Sequence, residues 1–245
     1  MTRSTFRNLG FYGANASGLF LGYGWINVVA ECKFYGNGLP AAMHLENNIN
    51  SVQILNNIIE SNRGVGILVN GGYYAVLLEG NVIESAGGPG IVANGVMGLT
   101  VRANYYESNN LDVGSANELR FVNESTGAPI DQCTDLLLNG APLASLIAGN
   151  NLTVGHSSTP TQSVTVSGNY ANAHHDGACK RYTGAFAYAA AGVIFEANHA
   201  SSCRSKKFPT APVCSTLEAG PTVANDTVRV ALNTGAFAAP RPALS

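Results

Sequence analysis

The sequence predicts an all-β fold in which one chain winds into a parallel solenoid of about 24 residues per rung. Three observations predict it. A short Gly-led pattern returns at 24-residue steps, and a strand-and-asparagine pattern returns beside it. Between them lie only short period-two runs separated by Gly and Asn, with none long enough for a helix.

The Gly-led element comes first. It reads Gly18-Leu19-x-Leu21, then Ala42-Met43-x-Leu45, Gly66-Ile67-x-Val69 and Gly90-Ile91-x-Ala93. The second element places apolar residues two apart, then Asn, then Ile or Tyr, then a small residue or Asn. Its copies are Val52/Ile54/Asn57/Ile59/Asn62, Val76/Leu78/Asn81/Ile83/Ala86 and Leu99/Val101/Asn104/Tyr106/Asn109. An imperfect early copy is Val28/Ala30/Lys33/Tyr35/Gly38, and later ones begin at Val164 and Val193. Three short strands and three corners per unit make one turn of a coil. Equivalent strands of successive turns then pair at about 4.8 Å. Leu19, Met43, Ile67 and Ile91 should stack in one inward column, and Asn57, Asn81 and Asn104 in another. A buried Asn column is chemically reasonable, because each amide can both donate and accept along the stack. Propeller blades need longer units, and leucine-rich repeats a denser Leu pattern with a helix-compatible half.

The solenoid is expected over residues 1–235, with regular rungs at 5–110, rungs carrying insertions at 111–235, and a tail at 236–245. Register fails between Asn110 and Gln162, although strand-like runs persist at Leu136–Leu138 and Leu152–Val154. The open first rung near Thr5 suggests a fragment of a longer protein, or a partner over that end.

Composition excludes some functions. Net charge is −2 and charged residues are 11%, so no nucleic-acid partner is expected. No apolar run reaches membrane-spanning length. Of five cysteines, Cys203 and Cys214 bracket a basic loop; a disulfide and buried free thiols are both open readings. No cofactor motif, P-loop, nucleophile elbow or zinc-type pairing appears, and no metal or cofactor is expected.

The stretches "FRNLGFYGAN", from Phe6, and "NYYESN", Asn104 to Asn109, resemble right-handed parallel β-helix proteins. These form the pectate-lyase-like (pectin-lyase fold) superfamily and its phage-tailspike relatives. The likeness covers residues 5–110 and, in patches, 160–232. It implies a right-handed coil, a polysaccharide or surface glycan as partner, and an extracellular, cell-surface or virion-surface location. The polygalacturonase set Asn-Thr-Asp, Asp-Asp and Gly-His-Gly is absent, as is the Arg-x-Pro-x-x-Arg of classical pectate lyases.

Glu60, Glu84 and Glu107 hold the same place in three successive rungs and should face outward in a row. Neighbours would stand roughly 5 Å apart and alternates roughly 10 Å, bracketing the carboxylate separations of retaining and inverting glycosidases. They are the candidate catalytic residues, with a solvated row balanced by Arg63 and Arg102 as the plainer reading. Glu79 and Arg102 should form an inter-rung ion pair. Arg102, Tyr105, His175 and Asp176 are candidate substrate contacts, with Tyr73 and Tyr74 as further stacking faces and Tyr106 in the core. The segment Ala173-His174-His175-Asp176-Gly177 is similar to the Asp-Pro-His-Asp-Gly of alginate epimerases, but Ala173-His174 replaces Asp-Pro. The catalytic Asp of that motif has no counterpart.

Outward on the Gly-led strands stand Phe20, His44, Leu68 and Val92. Three of these are apolar, so a loop or another subunit should cover them. The tailspike resemblance implies a homotrimer, here through Phe20, Leu68 and Val92. The expected functions are therefore a glycoside hydrolase on extracellular polysaccharide, a non-catalytic stalk or adhesin binding glycans, or a lyase or epimerase on acidic sugars.

Overall fold

The computed structural model describes residues 2–46, 49–70, 75–107, 109, 119–123, 132–139, 144–148, 152–154, 162–172, 181–188, 191–196, 199–201, 214–219 and 229–231. Among these, every regular element is a strand, and no helix is long and apolar enough to cross a membrane.

Three sheets form the walls of the coil. One has eight strands: Thr5–Arg7, Val28–Ala30, Gln53–Leu55, Val76–Glu79, Leu99–Arg102, Gln162–Ser167, Ala191–Glu196 and Arg229–Ala231. The glutamate sheet has seven: Gly10–Tyr12, Lys33–Tyr35, Ile58–Glu60, Val82–Glu84, Tyr105–Glu107, Tyr170–Asn172 and His199–Ser201. The Gly-led sheet also has seven: Leu19–Leu21, Ala41–Glu46, Val65–Asn70, Ile91–Asn94, Gln132–Asn139, Arg181–Tyr188 and Cys214–Ala219. Neighbouring strands pair in parallel, each one turn further along the chain. The chain is thus the parallel solenoid that the 24-residue repeat predicts.

Alternation sends one side of each strand inward. Leu19, Met43, Ile67 and Ile91 pair in register, and the last three are fully buried. Val29, Ile54, Leu78 and Val101 line the eight-stranded wall, and Phe34, Ile59, Ile83 and Tyr106 the glutamate wall. Phe11 stacks on Phe34 with centroids 4.6 Å apart. Each fully buried aliphatic side chain contributes about 1.5–3 kcal/mol.

The predicted asparagine column exists and is hydrogen-bonded at every step. The backbone N–H and side-chain amide of Asn57 both donate to Asn81 Oδ1, at 3.0 and 2.9 Å. Asn81 repeats this toward Asn104, both at 2.9 Å, and Asn104 toward Asn169, both at 3.0 Å. Each of these amides also donates to a carbonyl of the preceding rung: Val29, Ile54 and Leu78. Cys32 terminates the column, its N–H donating to Asn57 Oδ1 and its thiol to Ala30 O at 3.3 Å.

A second column runs along the other edge of the glutamate sheet. The Asn37 amide donates to Asn62 Oδ1 at 3.0 Å, and Ala86 N–H donates to Asn109 Oδ1 at 3.2 Å. Asn37, rather than the Gly38 of the sequence template, fills this place in its rung. Ala86 interrupts the column, and Asn62 turns its amide to Glu60 O of its own rung, at 3.0 Å.

The corner before the first column bends on one left-handed residue per rung: Asn8, Glu31, Asn56, Gly80, Ala103 and Gly168, with φ between 53° and 66°. At Gly80 a Cβ would also fall 2.2 Å from Asn56 Oδ1, so glycine answers both constraints there.

Between Asn104 and Asn169 the ladder bond spans 65 residues. Within that span Gln132–Asn139 joins the Gly-led sheet, carrying the predicted run Leu136–Leu138. Leu152–Val154 instead pairs antiparallel with Ala144–Ala148, which pairs with Leu119–Asn123, in a separate three-stranded sheet. Strand propensity alone does not distinguish a rung from a side sheet.

The outward strip Phe20, His44, Leu68 and Val92 is in register. Leu68 and Val92 are covered within the chain, at 3% and 4% exposure, while Phe20 is 55% exposed. Of the three residues expected to carry a homotrimer, Leu68 and Val92 are therefore covered by their own chain and only Phe20 is open.

Candidate functional site

The glutamate sheet has strands of three residues, with the middle one inward. Its outer face therefore carries two columns, from first and third positions. The first-position column reads Gly10, Lys33, Ile58, Val82, Tyr105. The third-position column reads Tyr12, Tyr35, Glu60, Glu84, Glu107. The asparagine columns fix both edges of this narrow face, so its side chains rise from a rigid base.

Glu60, Glu84 and Glu107 stand side by side, all half-buried. Their environments differ. Lys33 Nζ lies 3.5 Å from Glu60 Oε2. The Tyr105 hydroxyl donates to Glu107 Oε2. Glu84, in the middle, is pushed above its ordinary pKa, first by burial and then by the charges of Glu60 and Glu107, with Lys33 opposing. Such a carboxyl holds its proton to a higher pH than an ordinary glutamate and is suited to donate it.

Arg102 does not join this row. Its Nη2 donates to Glu79 Oε2 at 2.9 Å on the eight-stranded sheet, the ion pair expected from the repeat. Arg102 was expected to balance the row; the cation paired with it is instead Lys33, set one rung earlier on the same face. Tyr105 is outward and against Glu107, while Tyr106 is buried among core residues. His175 and Asp176, with Tyr73, Tyr74, His174 and Cys203, lie outside the described residues.

Two features escape the repeat template. Tyr12 and Tyr35 continue the glutamate column through the first two rungs. The early copy Val28/Ala30/Lys33/Tyr35 is corrected by one residue, since Val29 and Phe34, not Ala30 and Tyr35, pair with the inward Ile54 and Ile59. His44 and Glu46 stand two apart on one Gly-led strand and share its outer side. His44 is 6% exposed, its Nε2 lies 3.7 Å from Glu46 Oε2 with no hydrogen-bond partner, and its ring meets Phe20 edge-on at 5.1 Å. Burial pushes its pKa below the ordinary value, with Glu46 opposing, so the imidazole is neutral at pH 7.

Comparison with known proteins follows from this architecture. The chain is similar to the A-module of the mannuronan C-5 epimerase AlgE6 from Azotobacter vinelandii, with 12% identity and a TM-score of 0.42. The alignment covers 90% of this chain and 58% of that module, so the chain spans little more than half the module's length. Comparison with curated proteins returned no match. A family model described as a right-handed β-helix region matches residues 2–134. That match takes in more than half of the 245 residues, and the chain belongs to the right-handed β-helix family.

Proposed function

We propose that the outer face of the glutamate sheet acts on a polysaccharide outside the cell or at a virion surface, by hydrolysing a glycosidic bond. One observation carries the reading. Three carboxylates stand in register one rung apart, and the central one, Glu84, is biased toward its protonated form. One rung is about 4.8 Å, close to the spacing of the carboxyl pair in retaining glycosidases.

In this reading Glu84 protonates the glycosidic oxygen as the C1–O bond breaks. Glu107, oriented by the Tyr105 hydroxyl, attacks C1 and forms a glycosyl ester. Glu84, now a carboxylate, takes a proton from water, which hydrolyses the ester and frees Glu107. The product keeps its anomeric configuration. A second reading, a non-catalytic glycan-binding stalk, draws on the Lys33–Glu60 pair and the Tyr105–Glu107 bond, which satisfy the flanking carboxylates as a purely structural row would.

The test is reducing-end release from a panel of neutral polysaccharides, with product anomers followed by NMR. Glu84→Gln is expected to lower release by about 10²–10⁴-fold. The same variant is expected to melt higher at neutral pH. A carboxyl whose folded pKa is raised supports stability below its ordinary value of 4.5 and loses that support as pH rises through the folded value. Glutamine removes the loss. Unchanged release in a folded Glu84→Gln protein, or an inverted product, refutes the mechanism; no release by the wild type leaves the stalk.

A further inference from the structure

The third-position column of the same face is aromatic in its first two rungs, Tyr12 and Tyr35, where the later ones are acidic. Tyr12, Tyr35 and Ile58 are 62%, 45% and 44% exposed, and they stand on three successive strands. Exposed apolar and aromatic side chains gathered on one face mark interaction sites more often than isolated ones do. The placement of Tyr12 has a local cause. A Cβ on Gly10 would lie 2.1 Å from Tyr12 Cε2, so the ring occupies the space that a side chain at position 10 would fill. It lies down along its strand. Lys33 Nζ sits 5.8 Å from the Tyr35 ring centroid and 3.5 Å from Glu60, joining the aromatic part of the column to the acidic part.

We propose that Tyr12 and Tyr35 form a stacking subsite for a neutral polysaccharide, which runs as a single chain along the solenoid axis toward Glu60 and Glu84. Aromatic rings offer flat apolar faces to the C–H surfaces of sugars, and tyrosine keeps a wet polar edge. The rung spacing of about 4.8 Å sets these residues roughly one pyranose unit apart. Charge selects the class of glycan. Among the described residues of this face three carboxylates stand against one ammonium, so a uronate polymer meets net repulsion and an uncharged one does not. The proposal rests on reading this face as a glycan site, and it does not require cleavage.

Affinity electrophoresis in gels containing glucan, mannan, xylan, polygalacturonate or alginate tests it. At least one neutral polymer should retard the wild-type protein, and the two acidic polymers should not. Tyr12→Ala and Tyr35→Ala should each weaken retardation about ten-fold, a loss of about 1.4 kcal/mol in binding. Tyr12→Phe and Tyr35→Phe should retain it. Gly10→Ala should weaken it although Tyr12 itself is unchanged, because the added methyl displaces the Tyr12 ring. Unaltered melting temperatures of the exposed Tyr→Ala variants separate lost binding from lost folding. The proposal is overturned by undiminished retardation of Tyr12→Ala/Tyr35→Ala, by stronger binding to the acidic polymers, or by no retardation in any neutral polymer. Glu84-dependent release of reducing ends alongside any of these results would leave the hydrolase reading standing without this subsite.

Discussion

Replacing Asn81 by alanine tests the column that braces the proposed site. The Asn81 side chain accepts from the backbone and side-chain amides of Asn57, and it donates to Ile54 O and Asn104 Oδ1. Asn104 Oδ1 keeps the Asn81 backbone N–H at 2.9 Å, so its loss is partial. Two buried donors of Asn57 lose their acceptor outright. At about 1–3 kcal/mol for each stranded group, the expected destabilisation is about 2–6 kcal/mol. For a chain of this size that lowers the melting temperature by about 5–20 °C. Urea or thermal denaturation followed by circular dichroism measures it. Hydrogen exchange should report faster exchange at Asn57 N–H than at amides two rungs away, because solenoid stability is set between nearest neighbours. Melting within about 2 °C of the wild type would refute the reasoning, since the ladder would then be a consequence of packing rather than a source of stability.

Two further outcomes test the inside–outside assignment and the buried imidazole. Ile59→Ala should cost about 2–5 kcal/mol by emptying a fully buried site, whereas Ile58→Ala, one residue away on the outer face, should change stability by less than about 1 kcal/mol; similar effects would mean that the strand is turned the other way. His44, with its pKa lowered, supports folding above about 6.5 and withdraws that support as pH falls through its folded value. His44→Leu should therefore flatten the fall in melting temperature between pH 7.5 and about 5, and an unchanged slope would place the acid sensitivity elsewhere.

Much of the wall structure was legible because identical positions carry like residues. Ile67 above Ile91 and Asn57 above Asn81 follow from a fixed step and alternation alone. The Glu60–Glu84–Glu107 row follows for the same reason. The chemistry of that row was less legible. Lys33 and the Tyr105 hydroxyl act on it through neighbours in space that the template does not record. Tyr12 escaped notice, and Tyr35 was assigned to an inward place that Phe34 holds, because a template built on recurring residues is blind where a column changes character. His44 read as one member of an apolar strip, yet it is the member with an unpaired nitrogen. Leu152–Val154 has the pattern of a rung strand without the neighbours that would make it one.

The Asn104–Asn169 step has a consequence for how such a protein changes over evolutionary time. It joins residues 65 apart with a bond of 3.0 Å, where the Asn57–Asn81 step joins residues 24 apart at 2.9 Å. Closing the longer excursion costs only about 0.9 kcal/mol more in chain entropy, because that penalty grows with the logarithm of length. Extra chain can therefore be spliced between two turns for less than one stranded buried donor, and the scaffold can acquire new loops without surrendering its own architecture.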